Sequence, residues 1–258
     1  MNQKEYWNSQ AKHFSQIMES GSEAEYYLSL VDYMEEKGGV GPGKRVLDVG
    51  CGAGKYARAF LKKGSEVVMT DFSDQMLKYA EEGCAEYVGK FEAVQLDWNT
   101  DEYFDQPWEN GFDLVFASMV PAIASEESVR RLCRASRGLC FVAKFVKRID
   151  HMYEAFNKAA NVELPKSSGG LPYIDVIAHV NKLGYTPEVQ QKEYGWENRW
   201  TPEQAVARYE QSLKMSGIAE LPDHARLLEI AQSLVEEDGM VPDRSDATSA
   251  WILWSVNK

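Results

Sequence analysis

The chain has 258 residues, of which 44% are hydrophobic, and it carries a formal net charge of −12 at pH 7. This length permits one large α/β domain or two small ones, with enough apolar side chains for a sizeable core. The acidic balance argues against nucleic acid as a partner, because nucleic-acid binding normally relies on a basic face. No apolar run is long enough to cross a bilayer and the first residues lack a signal-peptide core, so we expect a cytoplasmic protein with no membrane partner.

Two helices are predicted before the first strand, within residues 3–38. Apolar and aromatic side chains recur there at helical spacing, beginning with Tyr6 and Trp7. Such a stripe is typical of an ordinary core face as well as of a segment that covers a ligand, and both interpretations stay open. A glycine-rich linker at residues 38–43 separates these helices from the first strand.

The segment 45–56, with the sequence RVLDVGCGAGKY, organises the rest of the chain. Its short apolar run is typical of a strand buried on both faces, and Gly50, Gly52 and Gly54 interrupt it. Residues without a side chain let the backbone turn sharply and let a ligand approach, and the helix that follows directs free N–H groups at that ligand. The pattern predicts a small-ligand site. A dinucleotide fingerprint would need a glycine in place of Lys55, which disfavours a nicotinamide-dependent oxidoreductase.

Two further strand-like runs end in acidic residues. Residues 66–71 read EVVMTD and end in Asp71, and Asp97 follows the third run. A carboxylate can accept two hydrogen bonds at once, so both acids fit a polar ligand. Taken alone, Asp71 also fits a helix cap and Asp97 a solvated loop. Their order along the chain, each after a strand and separated by helix-like stretches, favours the ligand interpretation.

The run Asp48-Val-Gly-Cys-Gly-Ala-Gly resembles motif I of the class I S-adenosylmethionine (SAM)-dependent methyltransferases, whose pattern is acid-x-Gly-x-Gly-x-Gly. The resemblance covers residues 40–145 best. It implies SAM as cofactor and S-adenosylhomocysteine (SAH) as product, with Asp48 near the ammonium group, Asp71 at the ribose hydroxyls and Asp97 near the adenine. The cofactor-binding residues implied in this way are Asp48, Gly50, Cys51, Gly52, Gly54, Asp71, Phe72, Met76, Asp97, Trp98 and Ser118.

The same resemblance implies a Rossmann-like α/β fold. Its sheet has seven strands, is mixed, has the order 3-2-1-4-5-7-6 and carries helices on both faces. We expect a single methyltransferase domain spanning residues 1–258. Its predicted parts are an N-terminal helical cap (1–40), a SAM-binding core (41–145), a substrate-side segment with the sixth strand (146–200), a helical lid insertion (201–247) and the last strand (248–258).

The fourth predicted strand leads into Ser118-Met119-Val120-Pro121. Members of the family that methylate amide or base nitrogens carry Asn/Asp-Pro-Pro-Tyr/Phe at this point. The lack of that motif, together with the acidic charge, favours a small-molecule acceptor. Ligands of an open parallel sheet bind at the carboxyl ends of its strands, so the segments that leave these ends are candidates. The substrate-binding candidates are Tyr6, Trp7, Met119, Tyr153, Trp196, Arg199 and Trp200.

Methyl transfer from a sulfonium is an in-line displacement, for which a protein mainly aligns the reactants in a dry pocket. We therefore expect no obligatory catalytic residue. If a general base is used, the candidates by position are His13, His151 and Tyr194, and each of them also fits a structural role. No cluster of His and carboxylates has metal-ligand spacing and the four cysteines form no Cys-x-x-Cys pair, so we expect no metal and reduced thiols.

One alternative outside enzymes stays open, because a SAM-binding sensor or regulatory protein would have the same cofactor loop without turnover. Two long segments, 147–172 and 201–247, favour an enzyme, since they can build a second pocket for an acceptor. The acceptor atom and the oligomeric state carry no signal in the sequence.

Overall fold

The computed structural model describes residues 3–17, 24–100, 102–103, 106–163 and 172–257. Within these ranges two helices precede the first strand, as the sequence predicts, and helices then separate most of the successive strands. The elements are α1 (Gln3–Ile17), α2 (Ala24–Glu36), β1 (Arg45–Val49), α3 (Lys55–Lys62), β2 (Glu66–Asp71), α4 (Asp74–Gly83), a 3-10 turn (Ala85–Tyr87), β3 (Phe91–Gln95), β4 (Phe112–Ser118), α5 (Glu126–Ala135), β5 (Ser136–Asp150), α6 (His151–Ala160), α7 (Tyr173–Lys182), β6 (Glu188–Trp200), α8 (Pro202–Met215), α9 (His224–Ser233) and β7 (Val241–Ser255).

The strands form one seven-stranded sheet in the order β3-β2-β1-β4-β5-β7-β6, which confirms the predicted order. β1 pairs in parallel with β2 and β4, β2 pairs in parallel with β3, and β4 pairs in parallel with β5. The carboxyl ends of these five strands therefore meet at one edge of the sheet. Segments that leave this edge are the ones positioned to hold a ligand.

The parallel strands are buried on both faces because their side chains alternate between two hydrophobic clusters. Leu47 and Val115 belong to the first cluster, and Val46 and Leu114 belong to the second. Helix α2 adds its apolar face to the second cluster. This arrangement explains why the strand sequences read as continuous apolar runs instead of alternating ones.

The chain is divided into two compact units. One unit contains Met1–Val146, Gly170–Lys192 and Ser249–Lys258, and the other contains Lys147–Gly169 and Glu193–Thr248. The predicted lid insertion at 201–247 lies wholly in the second unit. Residues 164–171 of the predicted substrate-side segment lie outside the described residues. That 1–258 acts as a single domain stays a prediction.

The last strand is longer than its predicted range, and the difference has a physical reason. β7 starts at Val241, where the sequence predicts a start at 248. The first half of β7, VPDRSDA, alternates between buried and exposed positions, but polar residues such as Asp243 and Ser245 occupy buried ones. The period of two is therefore present without the hydrophobic signal that normally reveals it.

Capping hydrogen bonds mark the starts of two helices, at Ser and Thr residues that are typical of the N-cap position. The Ser125 hydroxyl accepts a hydrogen bond from the Ser128 N–H at 3.1 Å before α5, and the Thr201 hydroxyl accepts one from the Gln204 N–H at 3.3 Å before α8. The Gln204 amide oxygen in turn accepts from the Thr201 N–H, which completes a capping box. In the described part of the chain, no helix combines the length and the apolar character needed to span a membrane.

Candidate functional site

The glycine-rich turn joins β1 to α3 and occupies the carboxyl edge of the sheet. Gly50, Gly52 and Gly54 have φ angles of 65°, 55° and 81°, in the left-handed region that favours glycine. A Cβ on Gly50 would lie 2.6 Å from the Val120 side chain, and one on Gly54 would lie 2.8 Å from Ala80. A Cβ on Gly52, by contrast, would meet no atom of the described residues within 4 Å, apart from its chain neighbours. Two of the glycines thus permit close packing, and the third faces a space that a ligand can enter.

Asp71, the last residue of β2, ties this turn to the second strand. Its Oδ2 accepts a hydrogen bond from the Gly52 N–H at 3.0 Å, and its Oδ1 accepts one from the Ser73 N–H at 2.9 Å. The residue is 8% exposed, and burial raises the pKa of its carboxyl although these backbone bonds oppose the rise. Because each carboxylate oxygen has a further lone pair, Asp71 can accept additional bonds from ligand hydroxyls.

Asp48 is a buried acid in β1 with an unused acceptor. It is 2% exposed, and burial followed by the charge of Asp71 raises the pKa of its carboxyl to about 7, while a bond from the Ala57 backbone N–H opposes the rise. Its Oδ2 has no hydrogen-bond partner in the part of the chain that the structure describes. Buried polar atoms are nearly always paired, so this carboxylate fits a ligand that brings a donor, such as an ammonium group.

The loop after β3 contains one exposed and one buried candidate. Asp97 is exposed, and its Oδ1 accepts a hydrogen bond from the Asn99 N–H at 3.0 Å. Trp98 is 3% exposed, its indole N–H donates to the Ser128 carbonyl at 3.1 Å, and it belongs to the first hydrophobic cluster. Core packing accounts for Trp98 without a ligand, whereas Asp97 is placed to meet one.

The loop after β4 contains two candidates in a special conformation. Ser118 ends the strand and Met119 follows it, and both are half-buried. Met119 has a φ of 57° although it carries a side chain, and its N–H donates to the Ala143 carbonyl at 3.0 Å. Such left-handed residues are uncommon and cluster where the surrounding structure determines the backbone, often at functional sites.

Two buried cations at this edge were missed by the sequence reasoning. Lys144 in β5 donates hydrogen bonds to two carbonyls of the loop after β4. Arg131 in α5 donates to the Trp98 and Thr100 carbonyls of the loop after β3, each at 2.6 Å. Each cation is 6% exposed. A basic residue inside the apolar run LCFVAKFV is the only sequence signal for the lysine.

Comparison with known proteins decides the family of this site. Residues 46–140, from β1 into β5, match the family model of a methyltransferase domain. These residues form a methyltransferase domain. The predicted family, the class I SAM-dependent methyltransferases, is therefore confirmed for this part of the chain, and the glycine-rich turn, Asp71 and Asp97 all lie inside it.

Proteins similar to this chain include a sequence relative and several solved structures. An uncharacterized protein of Haemophilus influenzae is 34% identical over 80 residues, a stretch that spans 30% of this chain and 30% of that protein. The YcgJ protein of Bacillus subtilis is 16% identical, with a TM-score of 0.55 over 87% of this chain and 97% of its own. A phosphoethanolamine N-methyltransferase of Haemonchus contortus, solved with phosphomonomethylethanolamine and SAH, is 18% identical, with a TM-score of 0.51 over 90% of this chain and 52% of its own. At these identities the solved structures establish the fold alone.

Helix α1 precedes the matched methyltransferase domain and packs on it. Asn8 accepts a hydrogen bond from the Ser73 hydroxyl at 2.5 Å and donates to Asp74 at 3.2 Å, both at the start of α4. The predicted cofactor residue Met76 is 2% exposed and forms a small apolar cluster with Ala11 of α1 and Ala53 of the glycine-rich turn, with Trp7 packed against them. The N-terminal helix therefore borders the turn, as a cap would.

Three predicted site residues of α1 and one of the second unit pack against neighbouring side chains. Tyr6 and Trp7 meet edge to face at 5.2 Å, and His13 lies 6.0 Å from the Phe14 ring. In the second unit, Tyr153 packs against the apolar cluster of α6, α8 and α9. A contact between any of these side chains and an acceptor stays a prediction.

Two predicted substrate residues of the second unit have internal partners. The Arg199 guanidinium contacts Glu236 at 2.8 Å, Asp238 at 2.7 Å and Glu197 at 2.8 Å, and these carboxylates neutralise its charge. Trp200 donates its indole N–H to Asp243 at 2.9 Å. A contact between Arg199 and an acceptor stays a prediction, and an acceptor carboxylate would have to compete with these three side chains.

Two candidate bases and one aromatic candidate also belong to the second unit. His151 Nε2 lies 2.7 Å from Asp246 Oδ2, and its side chain is 49% exposed. The Tyr194 and Trp196 rings lie 5.7 Å apart, and the Arg148 guanidinium lies 4.9 Å from the Trp196 ring centre. Across the described ranges, no group of three or more His, Cys, Asp or Glu residues is arranged to hold a metal ion.

Proposed function

We propose that this protein transfers the methyl group of SAM to a small-molecule acceptor by in-line displacement and releases SAH. The observation that carries the proposal is the Gly52–Asp71 hydrogen bond of 3.0 Å, which brings the glycine-rich turn and the acid after β2 together inside a methyltransferase domain. The bond places the acid beside the open side of the turn, where both can meet one ligand.

The chain offers distinct groups to the parts of the cofactor. The open space at Gly52 receives the methionine half, the unpartnered Asp48 Oδ2 accepts from its ammonium group, and Asp71 accepts from the ribose hydroxyls. Asp97 and the half-buried Phe72 and Cys51 border the adenine and the turn. A carboxylate that is ionised beside its ligand forms hydrogen bonds about twice as strong as neutral ones, and a ligand ammonium group would favour the ionised form of Asp48, so we expect Asp48 and Asp71 to contribute most to the affinity.

When bound, SAM supplies a methyl group on a positively charged sulfur. That methyl group would pass to an acceptor lone pair as its bond to sulfur breaks, SAH would leave, and any acceptor proton would go to solvent or to a base. The task of this chain is to align the acceptor with that bond and to exclude water, which does not require a residue that reacts. Ser118 and Met119, at the end of β4, are the proposed acceptor-side wall.

Three observations support a small molecule as the acceptor. The net charge of −12 disfavours a polyanionic substrate, and residues 118–121 lack the Asn/Asp-Pro-Pro pattern of amide and base methyltransferases. The related Haemonchus contortus structure contains phosphomonomethylethanolamine, a small metabolite, beside SAH. We therefore propose a small metabolite whose acceptor atom is an oxygen, nitrogen, sulfur or carbon nucleophile.

Calorimetry and a methylation screen test the proposal in two stages. SAM and SAH should bind with dissociation constants in the micromolar range, and NAD should not bind. Methyl-labelled SAM incubated with the protein and a metabolite extract should then yield a labelled small product. Tight NAD binding without SAM binding would refute the methyltransferase function, and SAM binding without any labelled product would favour a SAM sensor.

A further inference from the structure

Lys144 is a buried lysine at the carboxyl edge of the sheet. It lies in β5, one residue beyond Ala143, which pairs with Ser118 at the end of β4, and it is 6% exposed. Its ammonium group donates to the Val120 carbonyl at 2.7 Å and to the Ile123 carbonyl at 3.1 Å. Burial lowers the pKa of Lys144 to about 8. A lysine is almost never buried unless its charge is paired, and these partners are uncharged main-chain oxygens.

The two carbonyls belong to a turn with a demanding conformation. Met119 begins the turn in the left-handed region, and the Ile123 N–H donates to the Val120 carbonyl at 3.3 Å. The Val120 oxygen therefore accepts from both the turn itself and the lysine. Both bonds therefore depend on where this turn places the Val120 carbonyl.

The turn matters to the site because Val120 packs directly on the glycine-rich turn. The Val120 Cγ1 and Cγ2 atoms lie 2.6 and 2.9 Å from the position that a Cβ on Gly50 would take. Only a glycine permits this approach, and Gly50 is the first residue of the segment that would receive the cofactor. A shift of Val120 would therefore change the shape of that segment.

We propose that Lys144 is a positioning residue of the methyl-donor site. It acts through Val120, holding the 119–123 turn against Gly50, and does not itself touch the ligand. A buried ammonium group costs stability that an apolar residue of the same length would not, so a contribution to folding alone does not account for Lys144. The inference rests on the proposed function, because it assigns Lys144 to the SAM-binding segment.

The test compares four variants with the wild-type protein. Lys144→Met keeps the length but removes every donor, Lys144→Gln keeps one donor group, and Lys144→Arg keeps several. Val142→Ala is the control, since Val142 is fully buried on the same strand and the same face, two residues away. SAH affinity is measured by calorimetry, and the free energy of unfolding by urea denaturation, so that site shape and fold stability are read separately.

We expect SAH affinity to decrease as hydrogen-bond donors are removed from residue 144, in the order wild type, Lys144→Arg, Lys144→Gln, Lys144→Met. Lys144→Met should bind SAH about tenfold or more weakly, and Val142→Ala should change the affinity less than about threefold. Amide exchange at residues 119–123 should accelerate in Lys144→Met but not in Val142→Ala. If Lys144→Met is too unstable to measure, the Arg and Gln variants alone must show this order.

Three results would count against the inference, and they are distinguishable. A wild-type protein that binds neither SAM nor SAH would refute the proposed function and the inference with it. SAH binding by wild type, with all Lys144 variants within about threefold of it, would refute the inference alone. If the loss of SAH affinity is proportional to the loss of free energy of unfolding across all variants, including Val142→Ala, then Lys144 only supports the fold.

Discussion

Replacing Asp71 by Asn separates the binding role of this residue from its structural role. Asparagine has nearly the same shape but no charge, and only one of its two terminal atoms can accept a hydrogen bond. It therefore keeps at most one of the bonds from the Gly52 and Ser73 N–H groups, and it can no longer accept from two ribose hydroxyls. The variant tests whether the carboxylate is present for the ligand.

The expected loss of affinity is large, and the expected loss of stability is small. Exchanging two charge-assisted bonds to the ligand for one neutral bond should cost about 2 to 4 kcal/mol, or roughly 30- to 1000-fold in SAH affinity. Stability should change by no more than about 1 kcal/mol, because the lost backbone bond is offset by removal of a buried charge. The raised pKa of Asp71 shows that the folded protein disfavours this charge.

Calorimetry with SAH and urea denaturation measure the two quantities on the same sample. Asp32→Asn is the matched control, since it removes the same charge from an exposed side chain of α2, and it should leave SAH affinity unchanged. An Asp71→Asn variant that binds SAH as tightly as wild type would show that Asp71 is only a structural link between β2 and the glycine-rich turn.

Three further predictions concern individual residues. The pKa of Asp48 is raised from 3.8 to about 7, so between these pH values the folded protein holds a proton that the unfolded chain releases. This contribution to the free energy of unfolding is complete below about pH 4 and is lost as the pH rises to 7, so Asp48→Asn should flatten the pH dependence of that free energy, measured by urea denaturation. An unchanged slope would refute the raised pKa of Asp48. Trp98→Phe should lower the free energy of unfolding by about 1 to 3 kcal/mol through loss of the bond to Ser128, yet leave the SAH affinity measured by calorimetry unchanged. A large loss of affinity would support the predicted cofactor-binding role of Trp98. Arg199→Gln should leave the KM for the eventual acceptor unchanged, because three carboxylates already occupy the guanidinium, and a raised KM would restore its predicted substrate role.

The parts of the fold and site that the sequence predicts are those whose signal is local. The glycine-rich turn needs residues without a side chain within five consecutive positions, and Asp71 follows directly after a buried apolar run. The parallel core of the sheet was predictable for the same reason, since each of its strands is a short apolar run between turn signals.

The parts that were not predicted depend on contacts between distant residues. Arg199 meets Glu236 and Asp238, which lie more than thirty positions away, so its positive charge looked available in the sequence. Lys144 looked like an interruption of an apolar strand, and only the fold shows that two carbonyls of another loop surround its ammonium group. Pairing of this kind has no periodic signature.

A crystal structure with SAH bound tests the central claim most directly. We expect the ribose hydroxyls within hydrogen-bond distance of the Asp71 carboxylate, the amino group at Asp48 Oδ2, and the methionine half against Gly52. SAH bound away from the glycine-rich turn, or bound there with Asp71 still contacting only the Gly52 and Ser73 N–H groups, would contradict the account.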